Sequence, residues 1–92
     1  MLKVKPTKDF CDTLNGMQEK QFKQIWGCLL NLLVNPRPHD SKKIGEYKER
    51  PIYRVDSGEY RLVYQYDEVL LYPLILGKRN DDQVYKEMKR KL

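Results

Sequence analysis

Ninety-two residues carrying a net charge of +5, with 34% of side chains charged, are enough for one small domain spanning residues 1–92. The excess of cations favours a polyanion such as nucleic acid, or an acidic protein partner. No stretch approaches the ~20 apolar residues of a membrane span, and the opening Met1-Leu2-Lys3-Val4-Lys5-Pro6 has no signal-like apolar run, so a cytoplasmic location is expected.

Leu2 and Val4 alternate with Lys3 and Lys5, which suits a short first strand ended by Pro6. Thr7 is placed to cap a helix, with Asp9 in its first turn, where the helix dipole favours negative charge. Phe10 and Leu14 share one face of that helix, and Asn15-Gly16 breaks it. From Met17 to Leu33, Phe22, Ile25, Trp26, Leu29, Leu30, Leu32 and Leu33 form an apolar stripe at helical spacing. Asn35-Pro36-Arg37-Pro38 stops this second helix, because proline cannot continue it.

The period then changes. Ile52–Val55, Tyr60–Tyr66 and Val69–Leu76 are rich in branched and aromatic residues and read as strands. Asp56-Ser57-Gly58 is expected to form the first hairpin loop and Asp67-Glu68 the second. Within the middle strand, Leu62 and Tyr64 alternate with Arg61, Val63 and Gln65. The helices are expected on the Leu62 and Tyr64 side, leaving Arg61 on the open side. Pro73 falls inside the most apolar strand, where proline implies an edge or a bulge. Asp81 to Leu92 reads as a short basic helix. The fold class is therefore α+β: an N-terminal strand and a helical hairpin packed on a small, curved, mostly antiparallel sheet, closed by that helix.

Nucleophile and metal patterns are lacking. His39 is the single histidine, so no paired catalytic histidine is available. Cys11 and Cys28 are too few and too far apart for a disulfide framework or a zinc site. Asp81-Asp82 and Asp67-Glu68 read as turn pairs, Gly77-Lys78-Arg79 lacks the spacing of a phosphate-binding loop, and neither metal nor cofactor is expected. What remains is cationic. Arg50, Ile52 and Arg54 share one side of their strand, and Arg61 reaches the same side from the next. Arg79 follows the third strand of this meander, and Tyr85 opens the last helix.

Guanidiniums around a phenol suit RNA cleavage by the neighbouring 2′-hydroxyl. The phosphate becomes a dianionic, five-coordinate species, which matched arginines stabilise as its charge grows. A phenol is a poor base alone, and surrounding cations favour its ionised form. A solvated basic surface or a docking face for an acidic partner has the same composition.

The run Gly58-Glu59-Tyr60-Arg61-Leu62-Val63-Tyr64-Gln65, followed by Gly77-Lys78-Arg79 and Val84-Tyr85, is similar to the signature of the RelE family. Asn35-Pro36-Arg37 closes the long helix as in many members, so the resemblance covers nearly the whole chain in order. It implies the RelE-like fold and the toxin of a type II toxin–antitoxin pair in a bacterium or archaeon. Such a toxin cuts messenger RNA in the A site of the 30S subunit of the 70S ribosome, contacts ribosomal RNA, and is restrained by a cognate antitoxin. The partner expected is acidic and partly disordered.

By the same resemblance, Arg61 stabilises the transition state and Arg79 acts at the leaving group as acid or phosphate clamp. Tyr85 deprotonates the 2′-hydroxyl, and Arg54 occupies the second of two basic strand positions. Ile52 stands at the first, where lysine is expected, so Arg50 or Lys48 is a candidate substitute. Lys78 and Lys86 complete the expected substrate contacts. Two other readings share the scaffold. One is a ParE-like poison of DNA gyrase, against which Tyr85 after Gly-Lys-Arg argues. The other is a catalytically weak module that binds RNA or antitoxin, which Ile52 keeps open.

Overall fold

The computed structural model describes residues 1–79 and 83–91. Its elements run β1 (Lys3–Val4), α1 (Lys8–Asn15), α2 (Glu19–Val34), β2 (Lys42–Tyr47), β3 (Arg50–Ser57), β4 (Tyr60–Tyr66), β5 (Leu70–Lys78) and α3 (Gln83–Lys91). The sheet order is β1-β5-β4-β3-β2. β1 pairs parallel with β5, and the other neighbours are antiparallel. This is the α+β arrangement expected. Asp81, Asp82 and Leu92, assigned from the sequence to the last helix, lie outside the described residues.

The Thr7 cap forms as expected. Its hydroxyl accepts the Phe10 N–H at 3.1 Å and donates to the Leu74 carbonyl at 2.9 Å, tying the start of α1 to β5. Phe10 and Leu14 of α1, with Ile25, Leu29, Leu32 and Leu33 of α2, bury against Val55, Leu62, Tyr64, Leu71 and Leu76. The apolar stripe of α2 is wider than the face it buries: Trp26 and Leu30 are 41% and 45% exposed. Tyr64 is fully buried and donates to the Pro36 carbonyl at 2.6 Å, and burial pushes its phenol up to about 12.

Three features depart from the sequence reading. β2 is a strand that alternation did not reveal, because Lys42, Lys43 and Glu46 make it a charged edge. The first hairpin loop is Gly58-Glu59, and Asp56 belongs to β3, opposite Arg61. Gly58 has φ +60°, and a side chain there would meet Gln24 at 2.7 Å. The sheet side carrying Arg61 is also covered at its middle. Ile52, Val63, Leu74 and Ile75 form a second core with Val84 of α3, and Met88 packs against it.

Pro73 has a clear place. Val63 pairs with Ile75 and Tyr64 with Pro73, so Leu74 is the extra residue of a bulge. That one residue resets the alternation of β5. Leu71, Pro73 and Leu76 lie on the α1 and α2 side, while Leu74 and Ile75 both serve the second core.

Ile52, only 2% exposed, is thus a core residue beneath α3. Ile52→Ala should cost about 2–5 kcal/mol in urea denaturation. A solvent-facing residue would change stability by less than about 0.5 kcal/mol.

Candidate active site

The two-residue loop Gly58-Glu59 sets the register of β3 on β4: Ser57 faces Tyr60, Asp56 faces Arg61 and Arg54 faces Val63. Directly opposed residues share a face, so Arg54, Asp56 and Arg61 stand together on the α3 side. β5 places Gly77 opposite Arg61, which leaves no side chain beside the guanidinium on that neighbour. The Arg79 N–H donates to the Glu59 carbonyl at 3.0 Å and brings Arg79 to the same hairpin.

One carboxylate gathers these cations. Arg61 Nε donates to Asp56 Oδ1 at 2.8 Å and Nη2 to Oδ2 at 3.5 Å. Arg54 Nη1 lies 3.6 Å from Oδ1 and Arg79 Nη1 lies 3.7 Å from Oδ2. The Arg61 side chain is 14% exposed and that of Arg54 is 16%, whereas Arg79 is 48% exposed. Arg61 therefore spends its Nε edge on Asp56 and turns Nη1 to the Tyr85 hydroxyl, 3.5 Å away. Its guanidinium carbon is 5.8 Å from the centre of the Tyr85 ring. The hydrogen bond from Arg61 holds the Asp56 carboxyl below the usual carboxylate range, and the charges of Arg61, Arg54 and Arg79 add to this. Among the described residues three guanidiniums share this one carboxylate, a cationic cluster suited to a phosphate.

The structure thus brings Arg54, Arg61, Arg79 and Tyr85 together. The other four expected residues stand apart from them. Arg50 lies four residues from Arg54, about 13 Å along β3, and pairs with Asp67 at 3.5 Å. Lys48 sits beyond it in the β2–β3 turn. Lys78 faces Tyr60 in the register, which puts it on the side of the sheet opposite Arg61. Lys86 is exposed on α3, one residue past Tyr85. Neither Arg50 nor Lys48 fills the position of Ile52. Asp56 was missed, though a signal existed: counting outward from a Gly-initiated two-residue loop pairs it with Arg61. Among the described residues, no three His, Cys, Asp or Glu side chains gather to hold a metal ion, and no helix is long and apolar enough to cross a membrane.

Comparison with solved structures places this geometry in a known scaffold. The isolated E. coli RelE toxin superposes with a TM-score of 0.74 at 24% identity, covering 100% of both chains. The fold is that of the RelE toxins. The archaeal RelE-RelB complex from Pyrococcus horikoshii OT3 contains a chain with TM-score 0.74 and 22% identity, covering 85% of this chain and 94% of that one. The Mycobacterium tuberculosis RelBE2 toxin-antitoxin complex gives 0.69 and 17%, covering 85% and 98%. No protein-family model and no curated protein matches the chain. At these identities the likeness to RelE is one of fold.

The depressed Asp56 carboxyl makes a prediction about acid stability. Its contribution is present above the unfolded carboxylate value, about pH 4, and is lost as pH falls through the lower folded value. The stability advantage of wild type over Asp56→Asn should shrink as urea denaturation is repeated from pH 6 down to pH 3. A gap constant over that range would contradict the ion cluster.

Proposed function

We propose that this chain is a RelE-family toxin of a type II toxin–antitoxin pair. In this reading it is a metal-independent endoribonuclease that cuts messenger RNA in the ribosomal A site and so inhibits translation. The observation that carries the proposal is the convergence of Arg54, Arg61 and Arg79 on one point, with the Tyr85 hydroxyl 3.5 Å from Arg61. The RelE fold supports it, as does the resemblance of the motif order, which implies functional roles for Arg61, Arg79 and Tyr85.

In this reading each group has one task. The Tyr85 oxygen takes the proton of a ribose 2′-hydroxyl, and the 2′-oxygen attacks the adjacent phosphorus. The bond to the 5′-oxygen breaks, giving a 2′,3′-cyclic phosphate and a 5′-hydroxyl. Arg61 and Arg54 meet the charge that builds on the non-bridging oxygens. The more exposed Arg79 stands at the leaving oxygen as acid or phosphate clamp, and that oxygen takes its proton from Arg79 or from solvent water as it departs. Asp56 steadies Arg61 by its Nε edge and leaves Nη1 facing the reacting groups. The ribosome holds the codon in the strained geometry that in-line attack requires. The restraining partner in this reading is an antitoxin, acidic to suit the +5 chain; the Mycobacterium tuberculosis RelBE2 structure is itself a toxin-antitoxin complex.

A gyrase poison on the same scaffold needs no arginine–tyrosine set, and the Arg61–Tyr85 contact favours the nuclease over it.

Expressed without antitoxin, the wild-type chain should arrest growth, and Arg61→Ala or Arg79→Ala should relieve the arrest. On programmed ribosomes, Arg61→Ala should slow cleavage at least about 100-fold, and Tyr85→Phe by about 100- to 10,000-fold. Equal toxicity of wild type and variants would sink the proposal, and DNA damage with intact messenger would point to gyrase.

A further inference from the structure

A cavity of about 440 Å³ opens on the same sheet face as the arginine cluster, at the opposite end. It is lined by Tyr47, Lys48, Arg50, Gln65 and Tyr72, over a floor that includes Leu74. The strand register explains the gathering: Tyr47 faces Arg50 and Gln65 faces Tyr72, all on the side that carries Arg61. We propose that this cavity is a nucleobase subsite, in which one base of a single-stranded RNA stacks on Tyr72 or Tyr47 while its backbone runs towards Arg61. The proposal rests on the ribonuclease reading and adds to it where the substrate strand is held.

The walls are built to stay in place. Gln65, 5% exposed, donates from Nε2 to the carbonyls of Tyr47 and Arg50 at 2.8 and 3.1 Å, bracing both ends of the β2–β3 turn. That turn holds Lys48 and Glu49 at φ 52° and 65°, a conformation normally left to Asn and Gly. Asp67 accepts from the Tyr72 hydroxyl at 3.0 Å and pairs with Arg50, whose guanidinium sits 5.3 Å from the Tyr72 ring centre. The Lys48 ammonium lies 5.3 Å from the Tyr47 ring centre. Rings fixed in this way are stacking platforms for single-stranded bases.

Charge selects the occupant. Lys48 and Arg50 are balanced by Asp9 in the cavity wall and by Asp67 beside it. A cavity so balanced favours a neutral planar base over a phosphate or an acidic peptide. The three guanidiniums gathered around Asp56 are at the other end, where a phosphate is needed. α3, lying over the middle of the face through Val84 and Met88, exposes Lys86, Lys89 and Arg90 to a backbone passing from one end to the other.

The test is a fluorescence titration of the full chain with six-nucleotide single-stranded RNAs carrying 2-aminopurine at each position in turn. Matched RNAs that are abasic at that position serve as controls. Wild type should quench one position strongly. Tyr72→Leu or Tyr47→Leu should weaken binding by about fivefold to a hundredfold, and Tyr72→Phe, which keeps the ring, should not. The abasic RNA should bind wild type and both leucine variants alike. No quenching by wild type, or equal affinity in the leucine variants, would overturn the subsite. So would tighter binding of an acidic peptide that Tyr72→Leu abolishes, since the cavity would then serve a protein partner. Ribosomal cleavage measured with the same proteins separates the two readings. Cleavage that needs Arg61 but ignores Tyr47 and Tyr72 removes the subsite alone. Base-dependent binding without any cleavage removes the nuclease alone.

Discussion

The register of one hairpin governs this molecule. Gly58-Glu59 joins β3 to β4 with two residues, and Gly58 adopts a φ of +60° where a side chain would collide with Gln24. A loop one residue longer would slide Asp56 away from Arg61 and turn one strand's side chains over relative to the other. With the loop as it is, Asp56 meets Arg61 on one side of the sheet while Val55 and Leu62 meet on the other, under α1 and α2. The same few residues therefore fix both the charged cluster and the main core.

A second constraint is that both sides of the sheet are used. A small open sheet usually gives one side to helices and the other to water. Here the bulge at Leu74 lets β5 supply Leu71, Pro73 and Leu76 to one side and Leu74 and Ile75 to the other. The second core anchors α3 through Val84, and α3 carries Tyr85 to Arg61. The position of the phenol depends on buried apolar area as well as on the arginine it faces. The carboxylate of Asp56 brings three mutually repelling guanidiniums to within hydrogen-bonding or ion-pair distance of one point, which a bare cationic patch would not sustain.

Much of this was readable from residues alone. The Thr7 cap, the break at Asn15-Gly16 and the strands around Leu62 and Leu76 follow local rules, and the observed elements agree with them. The shared side of Arg54 and Arg61 followed from alternation of two. What local rules missed depends on partners distant in sequence. β2 is charged and lies at an edge, so no apolar rhythm marks it. The resemblance makes Ile52 a missing lysine, on a side expected to be open, whereas Val84 and Met88 cover it. Asp56 looked like a turn residue because Asp-Ser-Gly is good turn chemistry, and register overruled propensity. Alternation put Arg50 on the side of Arg61, as it is, and Lys48 and Arg50 were candidates for the missing lysine, but strand length separates both from the cluster.

The account turns on whether the guanidinium that Asp56 steadies is the centre of an RNA-cutting site. Primer extension on a translated messenger, with purified ribosomes and either the wild-type chain or Arg61→Ala, tests this most directly. The account predicts cuts inside A-site codons with wild type and none with the variant. An intact messenger in the presence of folded wild-type protein, or identical cuts from both proteins, would contradict it.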